Sequence, residues 1–393
     1  MKLFKSLLVA PAVLGFLVPN SVNANELNIL GISDYSSSRE VKSINEFKNE
    51  LTVINDRANG LELTSNDFEA GGFTETTTAS FSSNFAIGAV DGLGITTTDK
   101  DNGKEAVAAS YDFIIDLTTS FTGEDSLDIS LVAGNSAASQ LSEFDLKSTT
   151  DALQVDGLSY SFPIGEKINA FVGAQGTDGS NAFTVACTYG GPSNTLDDCG
   201  NVNSGFESMD GSSFGGSYSI NNEVSFAFGY AGNGVDDSKG LMTKEGLDAW
   251  GTNVAYTTDR IGASLTYSVI ETSSDYADTH LALNGYFTPE GFPSISAGYE
   301  FTDVGGAAQN VDEKTSFFVG LQIDEIGPGS AGIALGTQGS ITEGSDEALM
   351  YEAYYSYPVN DGMTITPLIY SKEKTSSTDE DETGIIVKTT FNF

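Results

Sequence analysis

The sequence predicts an all-β fold in which sixteen antiparallel strands form a transmembrane β-barrel. Three observations lead to this prediction. Apolar and polar residues alternate over segments of about ten residues, sixteen such segments follow one another from Phe73 to Phe393, and the connections between them alternate in length. Transmembrane barrels have an even number of such strands, with short turns at one end and longer loops at the other.

The composition agrees with strands and turns. The chain has 393 residues, with 44 Gly, 24 Phe and 16 Tyr but only 9 Pro and a single His. Aromatic residues favour strands, and Gly is frequent in turns. With 39% hydrophobic residues the chain is too apolar to be disordered, although its formal net charge is −38.

Residues 1–24 have the pattern of a secretory signal peptide. Lys2 and Lys5 precede an apolar run of 12 residues from Leu7 to Val18, and a small-residue cleavage site ends at Ala24. The run is too short for a membrane helix, which needs about 20 residues. We therefore expect the protein to be exported.

Residues 25–65 are predicted to form a periplasmic linker with a short coiled-coil helix, ahead of a barrel domain at 66–393. Two series of apolar residues repeat every seven positions, offset by three: Ile44, Leu51, Ala58 and Phe47, Ile54, Leu61. Such a pattern is typical of a coiled-coil seam. A single amphipathic helix that rests on the barrel remains the alternative.

Strands are then predicted at 73–90, 107–121, 127–135, 155–164, 168–176, 212–220, 223–232, 249–258, 261–271, 279–288, 293–302, 315–323, 331–340, 348–359, 363–371 and 383–393. In the last of these, Phe393, Phe391 and Val387 share one face while Lys388 lies on the other. The apolar face is predicted to contact lipid and the lysine to face a lumen.

A soluble β-sandwich would also show alternation, but its apolar face would be packed in a core. Two features favour the barrel. The apolar face carries aromatic residues near strand ends, at Tyr230, Trp250, Tyr256, Tyr286, Tyr299 and Tyr357, as in the aromatic girdles of membrane proteins. The other face is rich in Gly, Ser and Thr and includes aspartates, whose burial in a dry core would cost several kcal/mol each, roughly.

Several segments resemble the cyanobacterial outer-membrane porins, including those termed iron uptake or carbohydrate-selective porins. These segments are LLVAPAVLGFLVP in the leader, ANELNILGISDYSSS after it, the heptads, and FTETTTASFSSNFAIGAVDG at the first strand. Members of that family typically have a surface-layer-homology domain before the coiled coil. Here Ser38 leads almost directly into the heptads, so we expect that domain to be missing.

The resemblance implies a homotrimer of channels in the outer membrane, through which inorganic ions and small hydrophilic solutes diffuse passively. The terminal Phe391 and Phe393 resemble the signal that the barrel assembly machinery reads. We expect outer-membrane lipid, this machinery and small solutes as partners, and no nucleic acid. No cofactor is expected. A structural or adhesive surface protein with little transport is the alternative function.

The charge of the chain predicts a preference for cations. After removal of Lys2 and Lys5, 15 Lys and Arg remain against 55 Asp and Glu, and acidic loops such as 378–382 would concentrate cations at the mouth. Strand alternation gives five candidate pore-lining residues: Asp112, Asp116, Asp128, Glu300 and Glu352. Much of the remaining acidic charge could equally cover a solvated outer surface.

The connection at 177–211 is the longest and contains both cysteines, Cys187 and Cys199, with eleven residues between them. In an exported protein such a pair predicts a disulfide, which would stabilise the loop by about 3 kcal/mol. The stiffened loop could fold into the barrel as a constriction or remain a clip at the surface. A metal site with Asp197 and Asp198 lacks the spacing of known zinc motifs.

The sequence does not favour an enzyme. A barrel hydrolase needs a general base, and His280 is the only histidine. In the calcium-like segment DKDNGKE, Gly103 comes one position too early for an EF-hand loop.

Overall fold

A computed structural model describes residues 76–93, 105–136, 139–202, 211–233, 240–243, 245–306, 313–374 and 379–393. All of them belong to the unit Asp67–Phe393. The predicted signal peptide, linker and coiled coil lie outside the described residues, as does most of the segment DKDNGKE.

The described residues form seventeen strands that follow one another in sequence. They are β1 (Thr77–Asp91), β2 (Ala108–Thr119), β3 (Ser126–Gly134), β4 (Gln154–Ile164), β5 (Ile168–Thr177), β6 (Gly211–Ser219), β7 (Val224–Gly232), β8 (Asp248–Thr257), β9 (Ile261–Ser273), β10 (Tyr276–Phe287), β11 (Ser294–Asp303), β12 (Glu313–Ile326), β13 (Gly329–Thr337), β14 (Ile341–Thr342), β15 (Leu349–Asn360), β16 (Met363–Lys372) and β17 (Glu382–Asn392).

Within the described ranges, the helical structure consists of three short 3-10 helices, Ser139–Phe144, Gly179–Ala182 and Asp197–Cys199. In the part of the chain that the structure describes, no helix has the length and apolar composition needed to cross a bilayer.

The strands form a closed antiparallel barrel. Each wall strand pairs with its neighbours along the chain, and β1 pairs with both β2 and β17. The two-residue strand β14 pairs with the start of β12, at Lys314 and Thr315, while β13 pairs with β15. The wall of the barrel itself therefore has sixteen strands. The predicted sixteen-stranded barrel is therefore confirmed, and all sixteen predicted strands overlap a wall strand.

The barrel has its apolar residues outside and its polar residues inside. In β9, Ile261, Leu265 and Tyr267 are exposed, whereas the alternating Ser264, Thr266 and Ser268 are buried. A continuous exposed apolar surface of this kind marks a contact with membrane or with another protein. Four of the six predicted girdle aromatics are exposed, Trp250, Tyr256, Tyr299 and Tyr357.

Tyr230 differs from the other girdle residues because it is buried. Its hydroxyl donates a hydrogen bond to Asp248, and its ring packs against Phe214 at 4.9 Å between centroids. The backbone N–H of Met242 donates to the Tyr230 hydroxyl, so residues from the connection after β7 cover this ring. A side chain on the outer face of a strand is therefore not always exposed, because a loop can cover it.

The turn between β2 and β3 is organised by Asp125. One carboxylate oxygen accepts hydrogen bonds from the N–H of Phe121 and of Thr122 at 2.9 and 2.7 Å. The other accepts one from the Tyr160 hydroxyl of β4 at 2.6 Å. The hydrogen bond from Tyr160, with those from the turn, holds the pKa of Asp125 well below its usual range.

We expect Asp125→Asn to lower the thermal stability of the barrel, because the amide is a weaker acceptor for these donors. The lowered pKa means that the ionised carboxylate stabilises the folded state above the ordinary Asp pKa of about 3.9 and loses this effect as the pH falls below it. The measurement is the temperature at which the compact band converts to the unfolded band in detergent gels. Wild type should exceed the variant at pH 7, and the difference should shrink towards pH 3.

The exposed neighbour Glu124, changed to Gln, is the matched control and should behave like the wild type. Equal melting of wild type and Asp125→Asn at pH 7 would contradict the assigned role of Asp125.

Candidate pore and its constriction

The connection between β5 and β6, residues 178–210, is termed loop 3, and its described part 178–202 lies inside the barrel. Three alternate backbone N–H groups of the loop donate to side chains on the inner wall. These bonds are Thr184 to Asn253 Oδ1 at 3.0 Å, Ala186 to Ser264 Oγ at 2.9 Å and Thr188 to Ser296 Oγ at 2.9 Å. Of the two alternatives that the sequence left open, the structure therefore has the inward-folded loop.

Glycines on the wall make room for the start of loop 3. Gly215, Gly229 and Gly251 occupy facing positions on β6, β7 and β8. A Cβ atom on Gly229 would lie 1.7 Å from the carbonyl oxygen of Gly179 in the loop. Only a residue without a side chain permits this approach, so the glycines fix the height at which the loop crosses the lumen.

Tyr189 anchors the centre of loop 3. Its ring lies over Gly320 and Gly332 of the wall, where added Cβ atoms would come within 2.7 and 2.8 Å of it. Its hydroxyl donates to Glu352 Oε1 at 2.5 Å, and its ring packs against Phe318 at 5.2 Å between centroids. Burial, together with the nearby Glu352 carboxylate, raises the pKa of Tyr189, so the phenol remains protonated and donates.

Cys187 and Cys199 form a disulfide with an S–S distance of 2.05 Å. The bond closes a ring of loop 3 that includes Tyr189 at one end and Asp197 at the other. Beyond the ring, Asn201 donates from Nδ2 to the carbonyl of Thr337 at 2.9 Å. The ring is therefore attached to the wall on both sides.

The connection between β3 and β4, residues 135–153, is termed loop 2 and also folds inward. Leu141, Phe144 and Leu146 are buried in one cluster with residues of β1, β16 and β17, among them Val90, Leu368 and Ile386. The backbone N–H of Lys147 donates to Asp112 Oδ2 of the wall at 2.9 Å. The alternating strands predict only that a connection lies here, and its inward packing carried no signal in the sequence.

Glu143 joins the two loops. Only 2% of it is exposed, and it forms a buried ion pair with Lys372 of β16. Its Oε1 accepts from the Thr195 hydroxyl of loop 3 at 3.2 Å, and its carbonyl accepts from the Asn194 N–H at 2.8 Å. Loops 2 and 3 thus meet across the lumen and narrow it together.

All five candidate pore-lining residues lie on inward positions, but only two are accessible from the lumen. Asp116 is exposed, and Asp128 is half-buried and accepts a hydrogen bond from Thr118 at 2.8 Å. Asp112, Glu300 and Glu352 are 2%, 1% and 5% exposed. Asp112 accepts a hydrogen bond from loop 2, and Glu352 accepts one from loop 3. Glu300 Oε1 lies 3.5 Å from His280 Nδ1. The carboxylates of these three residues are therefore enclosed by protein and do not line the open lumen.

Loop 3 contributes further acidic groups to the lumen. The alternation of residues along the strands could not predict them, because they do not lie on a strand. Asp197 and Asp198 lie in its last 3-10 turn. The side chain of Asp197 remains exposed, but partial desolvation by the surrounding protein, reinforced by the carboxylates of Asp198 and Glu352, raises its pKa to about 7. Its charge therefore changes in the neutral pH range, unlike that of an ordinary aspartate.

Among the described residues there is no cluster of three or more His, Cys, Asp and Glu side chains arranged to hold a metal ion. His280 is 9% exposed and is hydrogen-bonded to Thr302 through Nδ1 at 2.9 Å. Its imidazole thus lies within the inner wall beside Glu300, and a substrate could reach it only if the neighbouring side chains moved.

Comparisons with known proteins support the fold. OprB of Pseudomonas putida superimposes with a TM-score of 0.56 at 11% identity, covering 81% of this chain and 94% of OprB. Two variants of the Rh. blastica porin give TM-scores of 0.53 and 0.52 at 14% identity, covering 81% of this chain and 100% of the porin. At these identities the similarity defines the class of fold, a sixteen-stranded barrel like that of the bacterial porins.

The sequence comparisons are less specific. No family model matches the chain. An uncharacterized protein of a Nostoc strain is 25% identical over 439 aligned positions, which cover 94% of this chain and 75% of the relative. The resemblance to the cyanobacterial porins therefore stays a prediction.

We expect Gly229→Ala to displace the start of loop 3, because the added methyl group would collide with the Gly179 carbonyl. In single-channel recordings in planar bilayers, the variant should show a larger and noisier open-channel current than the wild type. Gly157→Ala is the matched control, since its Cβ would meet Ser130 Cβ at an ordinary 3.5 Å. A quiet current of wild-type size in Gly229→Ala would contradict the role of the glycine.

Proposed function

We propose that the chain is an outer-membrane porin that allows inorganic ions and small hydrophilic solutes to diffuse passively. The proposal rests on the distribution of polarity in the barrel, whose apolar side chains face outward and whose polar side chains face inward. Loop 3 folds inward and narrows the lumen, but Asp116 and Asp128 on the inner wall remain accessible. Hydrated solutes need such a polar passage, whereas lipid needs the apolar outer surface. The porin-like fold also supports passive diffusion of such solutes.

A structural or adhesive surface protein is the alternative, and a barrel enzyme is less favoured. Adhesion requires no organised lumen, yet here two loops are anchored to the inner wall by buried acids. An enzyme would need an accessible base, but His280 is enclosed by the wall. Large stepwise currents in a planar bilayer would support the porin, and an insulating barrel would support the adhesive or structural protein.

We further propose that the pore prefers cations. Asp116 and Asp128 face the accessible lumen, and loop 3 contributes Asp197 and Asp198 at the narrowing. Fixed negative charges in a confined aqueous passage raise the local concentration of cations over anions. The acidic excess of the whole sequence acts in the same direction.

The terminal strand supports a role in assembly. Phe391 and Phe393 face outward, and their rings pack against Phe85 and Phe81 of β1 at centroid distances of 6.0 and 5.9 Å. The backbone of Phe393 pairs with that of Phe81 through two 3.0 Å hydrogen bonds. We propose that the barrel assembly machinery reads these terminal aromatics, and that the finished barrels form homotrimers in outer-membrane lipid.

We expect the double variant Asp116→Asn, Asp128→Asn to lower cation preference, because it removes two charges from the accessible lumen. The measurement is the reversal potential across a bilayer with a KCl gradient. The matched control is Asp259→Asn, Asp361→Asn, which removes two charges from exposed turns outside the lumen and should leave the potential near that of the wild type. An unchanged reversal potential in the first variant would reject these residues as determinants of selectivity.

The pKa of Asp197 predicts that selectivity depends on pH. Since partial desolvation raises this pKa to about 7, Asp197 is neutral below that pH and negatively charged above it. Cation preference should therefore rise between pH 6 and pH 8. Reversal potentials measured from pH 5 to pH 9 test this, and Asp197→Asn should remove the rise. A rise that persists in Asp197→Asn would assign it to another group.

A further inference from the structure

Resting on the proposed pore, we infer that the disulfide between Cys187 and Cys199 sets the charge selectivity of the passage, because it holds the turn that carries Asp197 and Asp198. Without this bond the turn would relax, and its two carboxylates would leave their places at the narrowing. The inference goes beyond stiffening of loop 3, since it concerns where charges lie rather than how wide the opening is.

The turn contains three successive residues in the left-handed region of backbone conformation. Asp198, Cys199 and Gly200 have φ angles of 43°, 73° and 65°, and this is the longest such run among the described residues. Glycine adopts this region freely and aspartate tolerates it, but cysteine is disfavoured there because its Cβ atom crowds the backbone. Strained conformations of this kind persist only where the surrounding structure holds them. The left-handed Cys199 therefore needs a restraint.

The turn buries two side chains and exposes two acids. Leu196 and Cys199 are 0% exposed, whereas Asp197 and Asp198 between them are exposed. The Gly200 N–H donates to the Asp197 carbonyl at 2.6 Å, which keeps the turn tight. Because Asp198 directly precedes Cys199, a change of Cys199 from the left-handed to an ordinary conformation would redirect the acidic side chains relative to the buried ones.

The disulfide connects this turn to a part of loop 3 that is fixed on the wall. Cys187 lies between Ala186 and Thr188, whose backbone N–H groups donate to serines of β9 and β11 at 2.9 Å each. The Cα atoms of the two cysteines are 6.0 Å apart. The position of Cys199 is thus set by a covalent link to a segment that cannot move without breaking those hydrogen bonds.

Other contacts hold loop 3 on both sides of the turn and do not involve the disulfide. On one side the Thr195 hydroxyl donates to Glu143 at 3.2 Å, and on the other side Asn201 Nδ2 donates to the Thr337 carbonyl at 2.9 Å. Asn201 also donates to the Thr195 carbonyl at 3.3 Å, which closes the base of the turn. Loss of the disulfide should therefore leave the loop folded into the barrel and free only residues 196–200.

The place of the two carboxylates decides how strongly they act on passing ions. The attraction between a fixed charge and a mobile ion decreases with distance and is screened within about 8 Å at physiological ionic strength. Two acids held at the narrowing therefore raise the local concentration of cations more than the same acids on a turn that samples many directions. The geometry of the turn thereby becomes a determinant of cation preference.

The test begins with Cys187→Ala, Cys199→Ala, which removes the disulfide from the full-length protein. Reversal potentials would be measured in planar bilayers across a KCl gradient at pH 8, where Asp197 is ionised. The variant Asp197→Asn, Asp198→Asn defines the change that complete loss of the two charges produces. We expect the alanine variant to show most of this change, with a single-channel conductance close to that of the wild type.

A glycine substitution separates the geometry of the turn from the stiffness of the loop. Cys187→Ala, Cys199→Gly also lacks the disulfide, but glycine adopts the left-handed conformation without strain. We expect its reversal potential to lie closer to that of the wild type than the reversal potential of the alanine variant does. If the disulfide acted only by stiffening loop 3, the more flexible glycine would lower cation preference at least as much as alanine.

The variant Cys187→Ser, Cys199→Ser takes the place of the alanine variant if that fails to fold, which heat-modifiable migration in detergent gels detects. A wild-type reversal potential in the alanine or serine variant would overturn the inference while leaving the proposed porin intact. A large rise in conductance would also overturn it, because loop 3 as a whole would then have moved.

Two further outcomes would contradict the inference. One is a loss of cation preference in the glycine variant that equals or exceeds the loss in the alanine variant. The other is a wild type whose reversal potential equals that of Asp197→Asn, Asp198→Asn. A wild-type protein that gives no stepwise current at all would instead refute the proposed function.

Discussion

The constraint on which the rest of the molecule depends is that backbone N–H and C=O groups in a hydrocarbon environment must be paired. An open sheet edge there would leave a row of unpaired groups at several kcal/mol each, roughly. Pairing of β1 with β17 removes both edges, and Phe393 completes the seam with Phe81. Once the sheet is closed, the alternation of side chains necessarily separates an outer from an inner surface. The inverted distribution of polarity, the lumen and the docking of the loops all follow from this closure.

The wall could be predicted from the sequence because alternation is a local property. Strand β9 illustrates this: it was predicted at 261–271 and is found at Ile261–Ser273. The paths of loops 2 and 3 could not be predicted in the same way. Leu141 and Phe144 look like any apolar residues in a long connection, and their burial depends on surfaces offered by β1, β16 and β17, far away in the chain. The two cysteines signalled a stiff loop 3 but not which way it folds.

The candidate site was partly predictable for a related reason. Alternation gives the face on which a residue lies, and the inward positions of Asp116 and Glu300 agree with it. Whether an inward residue meets water depends on what covers it, which is a property of the tertiary structure. Glu300 and Glu352 are covered by the folded interior, whereas Asp116 is not. Glu143, which joins the two loops, carried no signal in the sequence, because an isolated glutamate in a polar loop is common.

The attachment of loop 3 to the wall makes the width of the pore respond to salt differently from its charge selectivity. Its backbone donates hydrogen bonds to the uncharged side chains of Asn253, Ser264 and Ser296. The two carboxylates that hold it, those of Glu352 and Glu143, are buried away from the salt solution. Such contacts respond little to ionic strength, whereas the attraction of mobile ions to fixed charges fades within a Debye length of about 8 Å at physiological salt. The width of the opening should thus stay constant between dilute and saline surroundings, while the ability to sort ions by sign varies with them.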